Sequence, residues 1–365
     1  MADGASEDQV ARLRLIRSEN IGPVTYFQLL ARFGSAAAAL AAIPDLAARG
    51  GGRAPKLVSR ASVEREIEHV AALGARYLFL GQGLYPPLLA ELETAPPALV
   101  VKGHLSLLDK FAVAIVGARN ASAAACRFAR HLSTALGDQG AVIVSGLARG
   151  IDTSAHDGAL ETGTIAVVAG GIDIFYPPDN EARQRAIAER GLLVAEQPPG
   201  TEPRARHFPY RNRIIAGLTH GTVVVEAAPR SGSLITARFA TEFGREVMAV
   251  PGSPLDPRAQ GCNSLIREGA TLVQNADDVL EAISPSRIRP FRTPDRSYTP
   301  PEIAADADER ARQDVANLLN GTPVPVDELI RQTGLPPAIV QTVLLELELA
   351  GRLESPAGGN VSLAL

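Results

Sequence analysis

Between Tyr85 and about Ile283 the chain alternates short apolar runs, rich in Val and Ile, with longer stretches of helical periodicity. This alternation predicts βαβ units and a mostly parallel sheet. The runs that we expect to form strands are 112–116, 142–145, 164–169, 192–196, 222–226, 247–250 and 271–273. A glycine directly follows each of the first three runs, as a buried strand entering a tight turn requires, and ligands should lie beyond those strand ends. Pro-Pro pairs within 85–87 and 95–97 predict an extended lead-in before the first strand.

Before this region, residues from about 10 to 80 are rich in Ala, Leu and Arg and are broken by glycines, which predicts small helices. Residues 21–25 followed by 29–35 resemble a helix-hairpin-helix or SAM-like unit. A glycine turn in such a unit can present backbone N–H groups to phosphate. Two roles are therefore open for this segment: a helical packing domain, or direct contact with DNA.

After the sheet region, residues 284–299 contain three prolines and four arginines, which is the composition of a linker. Three helices are predicted beyond it, at 309–319, 326–333 and 337–349. Residues 352–356 and 360–365 then suggest a two-stranded wing around Gly358 and Gly359. This order of elements resembles a winged helix.

These patterns predict an α/β protein in which a Rossmann-like, mostly parallel sheet lies between two smaller domains. The expected division is a helical SAM or helix-hairpin-helix-like domain at 1–80, the sheet domain at 81–284, a Pro/Arg-rich linker at 285–305 and a winged-helix-like domain at 306–365.

Composition narrows the possible functions. The chain has 365 residues, enough for two or three domains, and a net charge of -4, so any site for a polyanion must be local. The two cysteines, Cys126 and Cys262, argue against a disulfide framework, and the six scattered histidines indicate no metal site. The acidic, polar start and the lack of a long apolar run predict a cytoplasmic protein with no membrane partner.

Arginines occupy two strand-to-helix turns where a dinucleotide-binding turn would carry glycine. The turn at 117–122 carries Arg119, and the turn at 146–152 carries Arg149. A dinucleotide fingerprint needs its second glycine so that the backbone can approach pyrophosphate. Arginine would crowd that approach, but its guanidinium fork suits phosphate. The scaffold is typical of a nucleotide binder, whereas these turns favour a polyanion over a nicotinamide cofactor.

The densest basic and aromatic group lies at 204–213, where four arginines and a histidine are interleaved with Phe208 and Tyr210. Guanidinium and aromatic groups together can grip phosphate and stack on a base. The alternative is a solvated basic loop whose aromatics anchor it to the core. Its position between two strands of a sheet with other arginine-bearing turns favours polyanion binding. We expect Pro209 to end an irregular stretch and a helix to run from 211 to 218.

Two further turns carry residues that could bind an anion or take part in acid/base catalysis. Ser231, Gly232 and Ser233 follow a strand and open a helix, so their N–H and hydroxyl groups could hold an anion, cap the helix, or do both. Asp152 and His156 could form an acid/base couple, but a structural role near the helix start is favoured because no nucleophile accompanies them. The loop at 170–178 is either structural or a wall of the ligand site.

Together these motifs resemble the DNA-processing protein A (DprA/Smf) family. The resemblance runs in order through 116–119, 145–152, 208–217, 231–237, 250–252, 261–266 and 269–270, which is nearly the whole sheet domain. It implies an extended Rossmann-like, doubly wound fold that binds single-stranded DNA without hydrolysing it, and we expect neither enzymatic activity nor a cofactor. It also implies a homodimer through the sheet domain, protection of incoming DNA and loading of the RecA recombinase during natural transformation.

The resemblance also implies a binding site. The family's phosphate-pocket arginine matches Arg119, its basic position before Asn-Arg-Ile-Ile-Ala-Gly matches Arg211, and its base-contacting aromatic matches Phe208 or Tyr210. Lysines that are common in this pocket are arginines here, which keeps the charge but changes the geometry toward phosphate. The full set of expected DNA-binding residues is Gly117, Arg119, Arg149, Arg206, Phe208, Arg211, Asn212, Arg213, Ser231, Gly232 and Ser233.

The sequence also leaves one alternative function open and limits the role of the winged helix. The alternative function is a nucleotide N-glycosidase or phosphoribohydrolase resembling the lysine-decarboxylase-like (LOG) family, but the glutamate of that family's glycine-rich motif is missing from residues 229–237. In the winged helix, the predicted recognition helix at 337–350 has two glutamates and neither arginine nor lysine. Because like charge repels phosphate, we expect this domain to serve packing or protein contacts and not to hold DNA.

Overall fold

A computed structural model describes residues 6–283, 306–354 and 360–364. The chain divides into two compact units, one formed by Glu66–Phe291 and the other by Met1–Arg65 together with Arg292–Leu365. The linker expected at 285–305 lies outside the described residues.

The N-terminal segment is helical, as predicted. Its helices are α1 (Glu7–Arg17), α2 (Pro23–Phe33), α3 (Ala36–Arg49) and α4 (Arg60–Ala72). Local sequence sets their ends: Ser6 and Gln9 form a capping box at the start of α1, and Gly34 ends α2 in the left-handed conformation, with φ of 73°. In the described part of the chain no single helix is long and apolar enough to span a membrane; α2 and α3, bent at 103°, reach that length and apolarity only when counted together.

A nine-stranded sheet forms the larger unit. Its strands are β1 (Arg76–Phe79), β2 (Ala98–Gly103), β3 (Ala112–Gly117), β4 (Val142–Ser145), β5 (Thr164–Val168), β6 (Leu192–Ala195), β7 (Gly221–Val225), β8 (Glu246–Ala249) and β9 (Thr271–Leu272). The order across the sheet is β1-β2-β6-β5-β4-β3-β7-β8-β9. Neighbours from β6 through β9 in this order are parallel, so the predicted doubly wound sheet is confirmed.

Helices cover both faces of this sheet. They are α5 (Pro87–Ala90), α6 (Ala123–Asp138), α7 (Ile151–Ala159), α8 (Glu181–Arg190), α9 (His207–Gly217), α10 (Gly232–Glu242), α11 (Gln260–Arg267) and α12 (Ala276–Ala282). Successive residues of β3 point to opposite faces: Val113 and Ile115 pack with α6, α7 and α12, whereas Ala114 and Val116 pack with α9, α10 and α11. Because both faces are buried, the central strands β3 to β7 are almost entirely apolar instead of alternating with polar residues.

Strand order reverses at β3. From β3 the chain winds through β4, β5 and β6 on one side, and later through β7, β8 and β9 on the other. In a doubly wound sheet, such a switch point leaves a crevice beyond the carboxyl ends of the two central strands. Here those strands are β3 and β7, and the crevice positions the candidate site.

Three local predictions were wrong. Residues 76–79 were expected in the helical segment but form β1, and the lead-in contains strand β2; β1 pairs antiparallel with β2, which pairs antiparallel with β6 at the edge of the sheet. Helix α9 begins at His207, before Pro209, because proline has no N–H to lose in the first turn of a helix.

The C-terminal segment forms α13 (Glu309–Leu318), α14 (Val326–Thr333), α15 (Pro337–Leu349) and a three-stranded sheet of β10 (Val324–Pro325), β11 (Leu353–Glu354) and β12 (Asn360–Leu363). This is the predicted winged helix. The turn expected at Gly358 and Gly359 lies outside the described residues.

Helix α15 lies between two cores of the smaller unit. Val340, Val343 and Leu347 pack within the winged helix, while Leu345 and Leu349 pack with α1, α2 and α3. The contact is close, because a Cβ at Gly50, which follows α3, would lie 2.2 Å from the backbone oxygen of Glu346. The Glu346 side chain is fully buried and accepts hydrogen bonds of 2.8 and 3.1 Å from Arg312. The predicted recognition helix is therefore a core helix shared by the two terminal segments.

Candidate nucleic-acid interface

Two adjoining compartments form one cleft at the carboxyl edge of the sheet, with volumes of about 310 and 390 Å³. The first is bounded by the end of β5 and by Tyr176, Pro177 and Pro178. The second lies at the switch point, between the turns that follow β3 and β7. Residues that line both compartments are Arg119, Asn120, Ala148, Phe208 and Arg211. The loop at 170–178, for which two roles were open, thus contributes a wall of the cleft.

Arg119 stands on the boundary between the compartments. It is exposed, and its guanidinium carbon lies 5.0 Å from the centroid of the Phe208 ring. The Phe208 ring lies in turn 5.6 Å from that of Tyr176. A cation over an aromatic face is held in place without consuming its hydrogen-bond donors. Within the described part of the chain this guanidinium has no carboxylate partner, so its donors are available to a ligand in the cleft that Arg119 lines.

Contacts with β7 and with Glu226, the residue that follows it, fix the turn that carries Arg119. A Cβ at Gly117 would lie 1.9 Å from the backbone oxygen of Val225, so only glycine permits β3 and β7 to approach this closely. Glu226 then accepts a hydrogen bond of 2.7 Å from the backbone N–H of Ser122. Ser122 caps α6. The position of Arg119 is therefore determined by the sheet.

Arg211 forms the floor of both compartments. Its side chain is buried, and its guanidinium donates to the backbone oxygens of Gly146 and Val167, the latter at 2.8 Å. Burial lowers the pKa of Arg211 to about 10, although the nearby Asp152 carboxylate opposes the shift. The buried Nε atom has no hydrogen-bond partner among the described residues. Gly146 is glycine because a Cβ there would lie 1.9 Å from this guanidinium.

Asp152 and His156 do not form the acid/base couple, because in the described structure each side chain is hydrogen-bonded to other groups. The Asp152 carboxylate accepts the backbone N–H groups of Gly146 at 3.1 Å and Ala148 at 3.3 Å. His156 is buried, its Nδ1 lies 2.7 Å from the Thr164 hydroxyl, and burial lowers the pKa of this imidazole to about 3. Thr164 donates its own proton to a backbone carbonyl, so His156 Nδ1 carries the hydrogen of the shared bond. The structural role favoured from the sequence fits both residues, although Asp152 holds the preceding turn and does not cap α7.

Ser231, Gly232 and Ser233 line the second compartment at the start of α10. Ser231 is the N-cap: its hydroxyl accepts from the Ser233 backbone N–H at 3.4 Å and lies 2.8 Å from the Ser233 hydroxyl. Asn212 donates to the Gly232 backbone oxygen at 3.1 Å. The serines therefore cap the helix and also line the compartment, at a helix N-terminus whose dipole favours negative charge.

Of the other three expected arginines, one lines the cleft but is paired, and two lie outside its lining. Arg149 borders the first compartment and is paired with Asp179 at 2.6 Å. Arg206 is exposed and outside the lining of both compartments. Arg213 is buried, where it pairs with Glu196 and donates to the Thr94 backbone oxygen at 2.6 Å.

Helical geometry explains why Arg211 and Arg213 differ. Residues three and four apart share a helix face, so Phe208, Arg211 and Asn212 all reach the cleft. Arg213 follows Arg211 by two positions and points to nearly the opposite side. The spacing within 208–213 already contained this signal, and we leave Arg213 out of the site proposed below.

Two lining arginines were not anticipated. Arg230 follows β7, and Arg258 lies in the loop after β8, where it pairs with Asp256 at 2.8 Å. Both follow strands whose carboxyl ends meet at this edge, which is the signal that could have found them. Arg230 has a φ of 67°, and Leu147 and Glu226, also beside the cleft, have φ of 53° and 56°. Left-handed backbone at residues other than glycine is strained and often marks functional sites.

The cleft is strongly basic in an acidic protein. Its lining contains Arg119, Arg149, Arg211, Arg230 and Arg258, and the acidic residue that the described lining includes is the buried Asp152. An arginine-lined crevice at the switch point of a doubly wound sheet is suited to a phosphate-bearing ligand.

Comparison with known proteins identifies the family. Residues 76–284, more than half of the chain, match the model of DNA recombination-mediator protein A, and the chain belongs to that family. Residues 6–69 match a DprA-like N-terminal HHH domain, and residues 299–359 match a DprA winged helix domain. The family predicted from the sequence and both flanking domain types are confirmed.

Relatives and solved structures agree with this assignment. The chain is 49% identical to DNA processing protein DprA of Streptococcus pneumoniae over 198 residues, 54% of this chain and 70% of the relative. It is 40% identical to Protein Smf of Escherichia coli over 289 residues, 76% and 75% of the two chains. The solved structure of the Streptococcus pneumoniae protein has a TM-score of 0.58 and 43% identity, covering 61% of this chain and 78% of that one. DNA processing protein A from Helicobacter pylori, whose structure concerns its single-stranded DNA binding mode, has a TM-score of 0.53 and 29% identity, covering 57% and 96%.

Proposed function

We propose that this protein binds single-stranded DNA in the arginine-rich cleft and does not hydrolyse it. The observation that carries the proposal is Arg119 lying over Phe208 at the boundary of the two compartments. A cation for phosphate and an aromatic face for a base are then side by side, as a sequence-tolerant binder of single strands requires. The single-stranded DNA binding of the Helicobacter pylori relative supports the same ligand.

Within the cleft we propose a division of roles. Backbone phosphate occupies the second compartment, near Arg211, Arg230 and the N-terminus of α10, where the helix dipole favours an anion. A base lies in the first compartment against Phe208 and Tyr176. Binding of this kind reads charge and stacking, so affinity varies little with base sequence.

The test is a gel-shift titration of the full chain with single- and double-stranded DNA of equal length over a series of salt concentrations. We expect preference for the single strand and a linear fall of log K with log salt, with a slope of about -0.7 for each neutralised phosphate. Equal or tighter binding of duplex DNA, or no binding at low salt, would refute the proposal.

Phe208 and Tyr210, which the sequence left as alternatives for the base contact, give a matched pair of variants. Phe208 lines both compartments, whereas Tyr210 is 56% exposed and lines neither. Phe208→Ala should weaken single-stranded DNA binding by about 1–3 kcal/mol, the usual contribution of one stacked base. Tyr210→Ala should leave affinity unchanged in the same fluorescence-anisotropy assay; a larger loss for Tyr210→Ala would reverse the assignment.

We further propose that the protein is not an enzyme. The rival glycosidase chemistry needs a carboxylate in the turn that opens α10, and residues 229–237 contain none. Glu226, the nearest acid along the chain, is bonded to the Ser122 backbone. Release of free base from nucleoside monophosphates by the purified protein, lost in a Ser231→Ala variant, would favour the rival.

The resemblance to the DprA/Smf family also supports a homodimer through the sheet domain, which would place two clefts on one strand and raise avidity. Sedimentation velocity of the full chain should show a dimer at micromolar concentration. A monomer throughout that range, with and without DNA, would contradict this expectation.

We also propose that the bound strand is protected and passed to the RecA recombinase during natural transformation, in the cytoplasm. The match to a recombination-mediator family supports this role. Addition of the protein should accelerate RecA assembly on single strands coated with single-strand-binding protein, and an unchanged assembly rate would refute the transfer.

A further inference from the structure

We propose that Asp152 is a positioning residue for single-stranded DNA, whose carboxylate braces the turn that carries Arg149 and borders Arg211. The inference rests on the proposed function of the cleft. It concerns a negative charge in a site for a polyanion, where an acidic side chain is unexpected. Loss of this carboxylate should weaken DNA binding, although it also removes a repulsive charge.

Side chains hold both the carbonyl and the N–H groups of the turn at 146–148. Asn180 donates to the Leu147 carbonyl at 2.8 Å and the Thr153 hydroxyl donates to the Ala148 carbonyl at 2.7 Å, while Asp152 and Arg211 hold other groups of the turn. One oxygen of Asp152, Oδ2, accepts both the Gly146 N–H at 3.1 Å and the Ala148 N–H at 3.3 Å. The Arg211 guanidinium donates to the carbonyl of Gly146. Between them Leu147 has a φ of 53°, a conformation that a branched apolar residue adopts only when its surroundings impose it.

The same clamp joins three elements at the cleft floor. Asp152 belongs to α7, Arg211 belongs to α9, and Arg211 also bonds the carbonyl of Val167 in β5. Without the carboxylate, nothing else in the described structure accepts the two N–H groups. The turn would then be held at its carbonyls alone, by Arg211, Asn180 and Thr153, and its backbone would be less firmly fixed against the guanidinium. The position of the Arg211 guanidinium at the cleft floor, including its Nε atom that has no partner among the described residues, would then be less firmly fixed.

Charge balance is consistent with this role. Burial raises the pKa of Asp152, and the charge of Arg211 and the two backbone N–H groups oppose that shift. A buried carboxylate persists when it is paired and hydrogen-bonded. Asp152 is therefore committed to the turn, and it contributes to the site through the groups that it holds.

Coulomb's law and the bracing role predict opposite results for Asp152→Ala. By charge alone, removal of a carboxylate tightens the binding of a polyanion. By bracing, we expect single-stranded DNA affinity to fall about tenfold and the salt slope to flatten by about 0.7, since one phosphate contact is lost. Equal or tighter binding by the folded variant would overturn the proposal. A loss of fold stability alone would not change the salt slope.

Asp157 provides the matched control. It lies on the same helix, outside the cleft lining, and pairs with Arg130 at 3.1 Å and Arg183 at 2.7 Å. Asp157→Ala should leave both affinity and salt slope unchanged. The isosteric Asp152→Asn keeps an oxygen that can accept both N–H groups, so it should bind within about threefold of the wild type. If Asp152→Asn binds as weakly as Asp152→Ala, the hydrogen-bonding explanation is wrong.

A measurement on the unaltered protein covers the case in which Asp152→Ala does not fold. Hydrogen exchange of the full chain should show slow exchange for the amides of Gly146 and Ala148 both without and with DNA. Fast exchange at these amides in the free protein would overturn the bracing role. Wild-type protein that fails to bind single strands would instead refute the proposed function, so the two failures are distinguishable.

Discussion

Arg119→Ala should weaken single-stranded DNA binding about ten- to hundredfold, equally for all base sequences. Hydrogen bonds to charged groups contribute about 1.5–3 kcal/mol, and this exposed guanidinium lies on the boundary of the two compartments. Phosphate contacts carry no base identity, so the loss should be uniform. The salt slope should flatten by about 0.7 for each phosphate contact removed.

Fluorescence anisotropy with labelled homopolymer and mixed-sequence strands measures this effect. Arg127→Ala is the control, because Arg127 is an exposed arginine on α6 outside the cleft lining. Arg211→Ala is a less informative variant, since its loss leaves the Gly146 and Val167 carbonyls and the Asp152 carboxylate without their buried partner. A folded Arg119→Ala protein with wild-type affinity and salt slope would exclude this cleft as the binding site.

Leu349→Ala should destabilise the smaller unit by about 2–5 kcal/mol, the usual cost of truncating a fully buried leucine. Leu349 is 0% exposed and packs where α15 meets the N-terminal helices. Differential scanning calorimetry of the full chain should show the unfolding transition of that unit at a lower temperature. Leu255→Ala, at a side chain that is 92% exposed, should change stability by no more than about 0.5 kcal/mol.

The same variant tests the role of the winged helix. Because α15 has no basic residue and is buried on two sides, Leu349→Ala should keep single-stranded DNA affinity within about threefold, or roughly 0.7 kcal/mol. The point substitution is preferable to deletion from Asp306 onward, which would also expose the core of α1, α2 and α3. A tenfold or greater loss of affinity in folded Leu349→Ala would show that the smaller unit takes part in binding.

Most of the sheet could be predicted from the sequence because strands buried on both faces are continuous apolar runs. The predicted run at 112–116, for example, is β3 extended by one residue. The antiparallel edge was harder to predict. β1 has only four residues and lies at the edge of the sheet. It is held there by β2, which in turn pairs with β6, far along the chain. Local periodicity contains no information on such partners.

The candidate site was less predictable than the fold. Arg119 and Phe208 were both predicted from the sequence, and the structure brings them together. Arg211 and Arg213 were predicted to have the same role, but the structure places them differently. The difference lies in the rotation of α9 and in two acids far along the chain, Asp152 beside Arg211 and Glu196 beside Arg213. The partner that a buried arginine finds is set by the tertiary fold, and a basic cluster in sequence does not reveal it.

The position of α15 has a consequence for how the chain is made. Helices α1, α2 and α3 are synthesised well before Leu345 and Leu349, which complete their core. Domains generally fold from the N-terminus as the chain is synthesised, and incomplete cores expose apolar surface. In this protein α1, α2 and α3 leave the ribosome with an unfinished core, in which Leu15, Tyr26 and Leu29 lack their full set of contacts until α15 has been synthesised. The helices that are synthesised early are therefore buried completely only after a helix that is synthesised late has joined them.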